Sequence, residues 1–129
     1  MRQFLPYLLV GVGGFLGANA RFLVGTWAAS TLGARFPWGT FLVNVSGCFL
    51  IGIVGTVVVE RLTARPEQTQ LLLAIGFLGS YTTFSSFAYE NHALLLNGAW
   101  WTTALYVAAS VLAGLLAVQV GVLVARAWF

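Results

Sequence analysis

Four long apolar runs, separated by short polar or glycine- and proline-containing segments, organise the chain, and they cover about residues 4–24, 38–59, 71–96 and 100–124. At ~1.5 Å of rise per residue each run is long enough to carry a helix across a hydrocarbon core of ~30 Å. The pattern predicts an all-α membrane protein, one four-helix transmembrane domain over residues 1–129. Pro6 stands near the start of the first run, where a helix tolerates it. Ala28 to Pro37, with Gly33 and Arg35, is the expected first connection. Glu60 to Gln70 is the one plainly aqueous loop, and Asn97-Gly98 forms a short turn. Trp100 and Trp101 mark one membrane interface and Trp128 the other.

The third run departs from the others between Gly76 and Glu90, where glycines, hydroxyls and aromatic rings replace lipid-facing aliphatic residues. Gly79 with Ser80, Thr82 and Thr83 predicts a broken helix, and carbonyls freed by a break at membrane depth must find protein, water or an ion. Beyond the break, at roughly 100° per residue, Thr83, Phe87 and Glu90 share one helix face, with Ser86 to one side and Phe84 to the other. Ser85 turns away from that face. A phenyl ring is positive at its edge, so two rings three residues apart offer anion-friendly edges beside hydroxyl donors. The plainer alternative is that the rings pack on neighbouring helices and the hydroxyls bond back into their own turn.

Charge sharpens the picture by its scarcity. Six arginines and three glutamates are the whole formal complement, with no lysine or aspartate, which is too few to cover a soluble surface. The net charge of +3 is spread over loop ends and forms no nucleic-acid patch. Arg2, Arg61, Arg65 and Arg126 fall on the side of both termini, against Arg35 and Arg21 on the other, a bias that places the termini in the cytoplasm. Cys48, alone within a span, has no disulfide partner.

The other spans carry packing signals and a few polar groups. Gly13 and Gly17, with Gly14 beside them, let another helix approach closely, and Ala109, Ala113, Ala117 and Gly121 make a packing stripe on the fourth span. Tyr106 and Ser110 are the polar exceptions beside that stripe. Asn44, the strongly polar side chain of the second span, can hold a partner helix or donate to an anion while a neighbour holds it. Arg21, near the expected end of the first span, either snorkels to the interface or draws anions into a water-filled vestibule. His92 reads as interfacial. Gly11-Val12-Gly13 fails as a dinucleotide loop because Leu16 follows and no strand precedes it. The Ala18-Asn19-Ala20 segment resembles a signal-peptide cleavage site, but the glycine-rich core before it argues against one.

Catalysis is not expected, since one histidine, one cysteine and three scattered glutamates give neither a nucleophile with its base nor a metal cluster. Four short helices cannot enclose a generous pore, so a pathway would be completed by oligomerisation. Hydroxyls, one amide and ring edges at bilayer depth favour a small, hard anion over a bulky organic substrate.

Gly13-Gly14 with Gly17-Ala18 and Arg21, then Gly39-Thr40-Phe41 with Asn44 and Gly47, then Gly79 with Thr82-Thr83-Phe84-Ser85-Ser86-Phe87 and Glu90, occur in order along a four-span chain. In this the sequence resembles the Fluc/CrcB family of fluoride channels over essentially its whole length. The resemblance implies a dual-topology, antiparallel homodimer in the cell's inner (plasma) membrane, with two separate pathways that passively export cytoplasmic fluoride. It implies Phe84 and Phe87 as pore-lining rings, Asn44 as the pore amide, and the carbonyls of Gly79 and Thr82 as ligands of a structural Na+ at the dimer axis. Thr83, Ser86 and Glu90 would form a polar track faced by Tyr106 and Ser110, with Arg21 in the entrance vestibule. Glu90 would be protonated or hydrogen-bonded as the ion passes, because a bare carboxylate repels fluoride.

Two features depart from the family's pattern. Gly114 stands where a second hydroxyl often follows the fourth-span serine, and the arginines are less balanced than dual insertion expects. Two other functions fit four apolar spans. A small multidrug transporter needs a carboxylate in its first span, which is absent here. A non-transporting helper would use the polar stretch only to hold a partner helix.

Overall fold

The computed structural model describes residues 2–61 and 64–128, with Arg2 described in its backbone alone, so residues 62 and 63 of the aqueous loop lie outside the described residues. A single 3-10 turn, Arg2–Phe4, leads into α1, Leu5–Leu32. Then follow α2, Trp38–Glu60, a third span in pieces, and α6, Trp100–Trp128. The third span comprises a short α3, Pro66–Thr69, a π-helical stretch Gln70–Leu78, a last turn α4, Gly79–Tyr81, and, after the break, α5, Phe84–Leu96. All four spans are long and apolar enough to cross a membrane.

The first span outruns its expected end. Its helix continues to Leu32, so the connection shrinks from Ala28–Pro37 to the residues after Leu32. The hydroxyls beyond the apolar run bond back into their own turns: Thr26 Oγ1 donates to Phe22 O at 2.9 Å and Ser30 Oγ to Trp27 O at 2.9 Å. Gly33 ends the helix with φ 83°, a backbone conformation open to glycine. Arg21 therefore lies roughly 16 Å before the helix end at ~1.5 Å per residue, within α1 and not at its end.

Two glycine seams hold the bundle. On the first, α1 lies against the π-helical stretch: a Cβ at Gly13 would run into the carbonyl of Leu72, and one at Gly17 into the carbonyl of Phe77. Gly76 answers from the other side, its Cβ position 3.0 Å from Gly13 Cα. On the second, α2 crosses α6, where Gly52 faces the Val118 carbonyl and Gly121 the Phe49 carbonyl. Gly121 is thus the tightest point of the predicted small-residue stripe, of which Ala109, Ala113 and Ala117 are half-buried. With no water to expel between helices in lipid, such close backbone approach supplies dispersion that bulky side chains would prevent.

The enclosed core is small, Val43, Leu78 and Tyr81 packed with Ala20, Val24, Leu50, Val54 and Phe77. Large apolar side chains instead face outward on every span, among them Phe22, Ile75 and Leu115. Outward apolar surface all round is what a bundle solvated by lipid or by a second copy presents.

Candidate functional site

The helix break forms within the expected segment, at Thr82 and Thr83, three residues after Gly79. Gly79 keeps helical angles (φ −60°, ψ −33°), and the backbone instead extends at Thr82 (ψ 158°) and Thr83 (φ −151°, ψ 115°). The cause is Asn44 on α2. Its Oδ1 accepts from Thr83 N at 2.8 Å and its Nδ2 donates to Thr83 O at 3.0 Å, so one amide satisfies both backbone groups of the extended residue. The amide that would have closed a turn onto the Gly79 carbonyl is thereby spent, leaving the carbonyls at the end of α4 without helical partners. Thr83 then restarts the helix as its N-cap: its Oγ1 accepts from Ser86 N at 3.2 Å and donates to Ser86 Oγ at 3.0 Å.

This pairing is one rung of a ladder. α2 runs antiparallel to the third span, and four contacts descend it in register. Ser46 Oγ meets Tyr81 OH at 2.8 Å, and Gly47 makes room for the Thr82 methyl. Asn44 holds Thr83, and Thr40 Oγ1 donates to Glu90 Oε1 at 2.6 Å. The other oxygen of Glu90 accepts from Tyr106 OH on α6 at 2.7 Å. Glu90 is therefore hydrogen-bonded on both oxygens, and Tyr106, fully buried, ties α6 into the same network.

The rings line up beside it. Phe84 and Phe87 lie with centroids 5.8 Å apart and planes tilted by 41°, and Phe87 meets Tyr106 edge-on at 5.0 Å. Tyr106 in turn meets Phe36 edge-on at 5.0 Å. Three cavities adjoin along this line. One of about 450 Å³ is lined by Asn44, Gly79, Thr82, Phe84, Phe87 and Ser110. A second of about 420 Å³ joins Arg21 to Thr40, Thr83 and Ser86. A third of about 400 Å³ holds Thr40, Glu90, Arg35 and Asn97. Thr83 borders the first two and Thr40 the last two, so the cavities follow one another along the ladder.

All the residues expected at the site thus fall on this line. Asn44 and Ser86 each bond to Thr83, Glu90 bonds to Tyr106, and Phe84, Phe87 and Ser110 share a cavity with Gly79 and Thr82. Arg21 reaches the set only across its cavity, and Ser85, exposed, touches it through Thr83 Oγ1 at 3.3 Å. The Ser110 hydroxyl is buried and has no protein partner. Thr40, read in the sequence only within the Gly39-Thr40-Phe41 motif and given no role there, is a further site residue. Its signal is its position one turn before Asn44 on the same face of α2.

Fold and site together define a multi-pass membrane protein whose spans enclose a file of hydroxyls, an amide and ring edges. The family model for CrcB-like protein, Camphor Resistance (CrcB), matches residues 8–122, and the chain belongs to that family. It is 49% identical over 122 residues to a protein of Solibacter usitatus (strain Ellin6076) named fluoride-specific ion channel FluC, covering 95% of this chain and 99% of the relative. Relatives of the same name include one from Acidobacterium capsulatum, 46% identical over 93% of this chain and 95% of the relative. Another, from Rhizobium meliloti (strain 1021), is 45% identical with the same coverage. Membership in a family of ion channels agrees with the expectation that the chain is not an enzyme.

Proposed function

We propose that this protein is a fluoride-selective channel that passively exports cytoplasmic fluoride across the inner membrane and so relieves fluoride toxicity. What carries the proposal is the run of adjoining cavities bordered by Arg21, Thr83, Ser86, Asn44, Phe84, Phe87 and the unpartnered hydroxyl of Ser110. Donors and ring edges in series replace a hydration shell step by step, with Arg21 the one full charge among the residues named. Such a lining suits a small, strongly hydrated acceptor, and the channel names of the relatives point the same way.

Two copies in antiparallel, dual-topology arrangement would close the cavities that one chain leaves open and give two separate pathways. Phe84, 79% exposed in the single chain, is the residue that most needs such cover. The carbonyl of Gly79, freed because Thr83 N is committed to Asn44, and that of Thr82, freed because Ser86 N is committed to Thr83 Oγ1, fit a hard monovalent cation, and with their counterparts from the second copy they would hold Na+. Bound there, Na+ supplies a fixed positive charge that offsets the cost of an anion at bilayer depth.

The test is efflux from liposomes holding the purified protein, followed with a fluoride electrode after valinomycin is added, with chloride-loaded vesicles in parallel. Rapid fluoride loss with chloride retained is expected. Retention of fluoride by vesicles that hold folded dimer sinks the channel proposal.

A further inference from the structure

The last turn before the break, α4, is three residues long and ends in extended backbone, so it is too short to hold its shape alone. Gly79 and Thr82 line the open cavity, whereas Tyr81 between them turns into the core with Val43 and Leu78 and is buried there. Its side chain is fastened on three sides. The ring stacks on Phe77 with centroids 5.8 Å apart and planes 11° apart, and one edge lies where Gly47 leaves room, since a Cβ there would sit 3.4 Å from Tyr81 Cδ1. At the tip, the hydroxyl meets Ser46 Oγ at 2.8 Å. Ser46 has one hydroxyl proton and gives it to the Leu42 carbonyl at 2.6 Å, so Tyr81 is the donor and Ser46 the acceptor. The tether from Tyr81 through Ser46 thus ends on the backbone of α2.

We propose that Tyr81, through the hydrogen bond it donates to Ser46, is a positioning residue for the Gly79 and Thr82 carbonyls and sets how tightly they hold Na+. The inference rests on the Na+ reading given above and adds to it the side chains that aim the ligands. Carbonyls bind a small, hard cation well when their places are fixed before it arrives, because ligands that must first be ordered lose affinity to that cost. The covalent path from the tether to the carbonyls is short: Gly79 lies two residues before Tyr81, and Thr82 follows it directly. Thr82 N and Oγ1 both return to the Leu78 carbonyl of their own turn, so the polar anchorage of this segment on α2 falls to Tyr81 on one side of Thr82 and to Thr83 on the other. Asn44 fixes where the backbone leaves the turn, and Ser46 fixes the turn itself.

The experiment measures binding of radiolabelled Na+ by equilibrium dialysis at one temperature, with thermal midpoints alongside, on dimer purified in N-methyl-D-glucamine, for wild type, Tyr81→Phe, Ser46→Ala and Leu50→Val. Tyr81→Phe keeps the stacked ring and leaves no donor unpaired, since Ser46 still bonds to Leu42. It is expected to fold near the wild-type midpoint while its Kd for Na+ rises about threefold or more. Ser46→Ala leaves the buried Tyr81 hydroxyl without its acceptor, and about tenfold weaker Na+ binding is expected together with a lowered midpoint. Leu50→Val, in the same core but outside the tether, is the packing control, expected to lower the midpoint and leave the Kd as in wild type. An unmoved Kd in Tyr81→Phe or in Ser46→Ala overturns the proposal, and Ser46→Ala decides alone if the phenylalanine variant does not fold. A Kd raised as far by Leu50→Val as by Ser46→Ala overturns it as well, by assigning Tyr81 to packing. Absence of labelled Na+ on the wild-type dimer removes the Na+ reading, and this one falls with it; binding by wild type with insensitive variants removes this one only.

Discussion

The two halves of the third span are held by opposite means. Before the break, the backbone is clamped directly: Gly76 meets Gly13, and the Phe77 carbonyl lies on Gly17. After it, α5 is held by side chains, through Asn44 on Thr83 and through Thr40 and Tyr106 on Glu90, with Phe84 left 79% exposed. Where small residues let backbones touch, no space remains between helices. Where polar side chains bridge them, cavities stay open beside each bridge. The clamped half fixes where the orphaned carbonyls stand, and the bridged half supplies the walls of a pathway.

That contrast predicts a steep difference in tolerance. Gly17→Val places a branched side chain against the Phe77 carbonyl, and backbone on both sides cannot yield, so the cost exceeds about 3 kcal/mol. No monodisperse folded protein is expected on size exclusion in detergent. Gly11, on the same helix with nothing within 4 Å of its Cβ position, is the control, and Gly11→Ala is expected to behave as wild type. Recovery of well-folded Gly17→Val protein would show that the seam is looser than the backbone contacts require.

The bridged half should fail by degrees. Asn44→Ala strips the partner from both Thr83 N–H and Thr83 C=O, two buried backbone groups at about 1–3 kcal/mol each when left unsatisfied. Partial relief by water in the neighbouring cavity brings the expected loss to about 2–4 kcal/mol, read as a lowered thermal midpoint in detergent together with faster amide exchange at Thr83. An unshifted midpoint would mean that the break is held by the surrounding packing and that Asn44 merely follows it.

How far the sequence discloses all this differs between the halves in the same way. The four spans, the glycine seam at Gly13 and Gly17, and the polar face after the break are local patterns, and the structure carries them. The length of α1 was hidden because the helix continues past the apolar run, with Thr26 and Ser30 bonding back to carbonyls of their own turns. The π-helical winding of Gln70–Leu78 has no local signature; it accompanies the fit of Gly76 against α1. The break falls at the Thr82–Thr83 end of the expected segment and leaves Gly79 helical, because a side chain 39 residues away captures Thr83, and long-range pairing leaves no periodic trace. Thr40, visible in the Gly39-Thr40-Phe41 motif, had no readable role for the same reason, since a lone threonine in a span means little until its carboxylate partner is known.

The smallest expected effect separates the two bonds that meet at one residue. Thr83 is gripped through its backbone by Asn44 and caps α5 through its side chain. Thr83→Val keeps the backbone grip and removes only the cap, leaving Ser86 N without its acceptor and Ser86 Oγ without its donor. Loss of an N-cap hydroxyl costs about 1 kcal/mol, well under the cost expected for Asn44→Ala. Amide exchange should therefore quicken at Ser86 in the valine variant while Thr83 stays protected, the reverse of the order expected when Asn44 is removed. If Thr83→Val instead lowers the midpoint as far as Asn44→Ala and exposes the Thr83 amide, the cap and the grip are one cooperative unit. The break would then depend on the restarted helix as much as on α2.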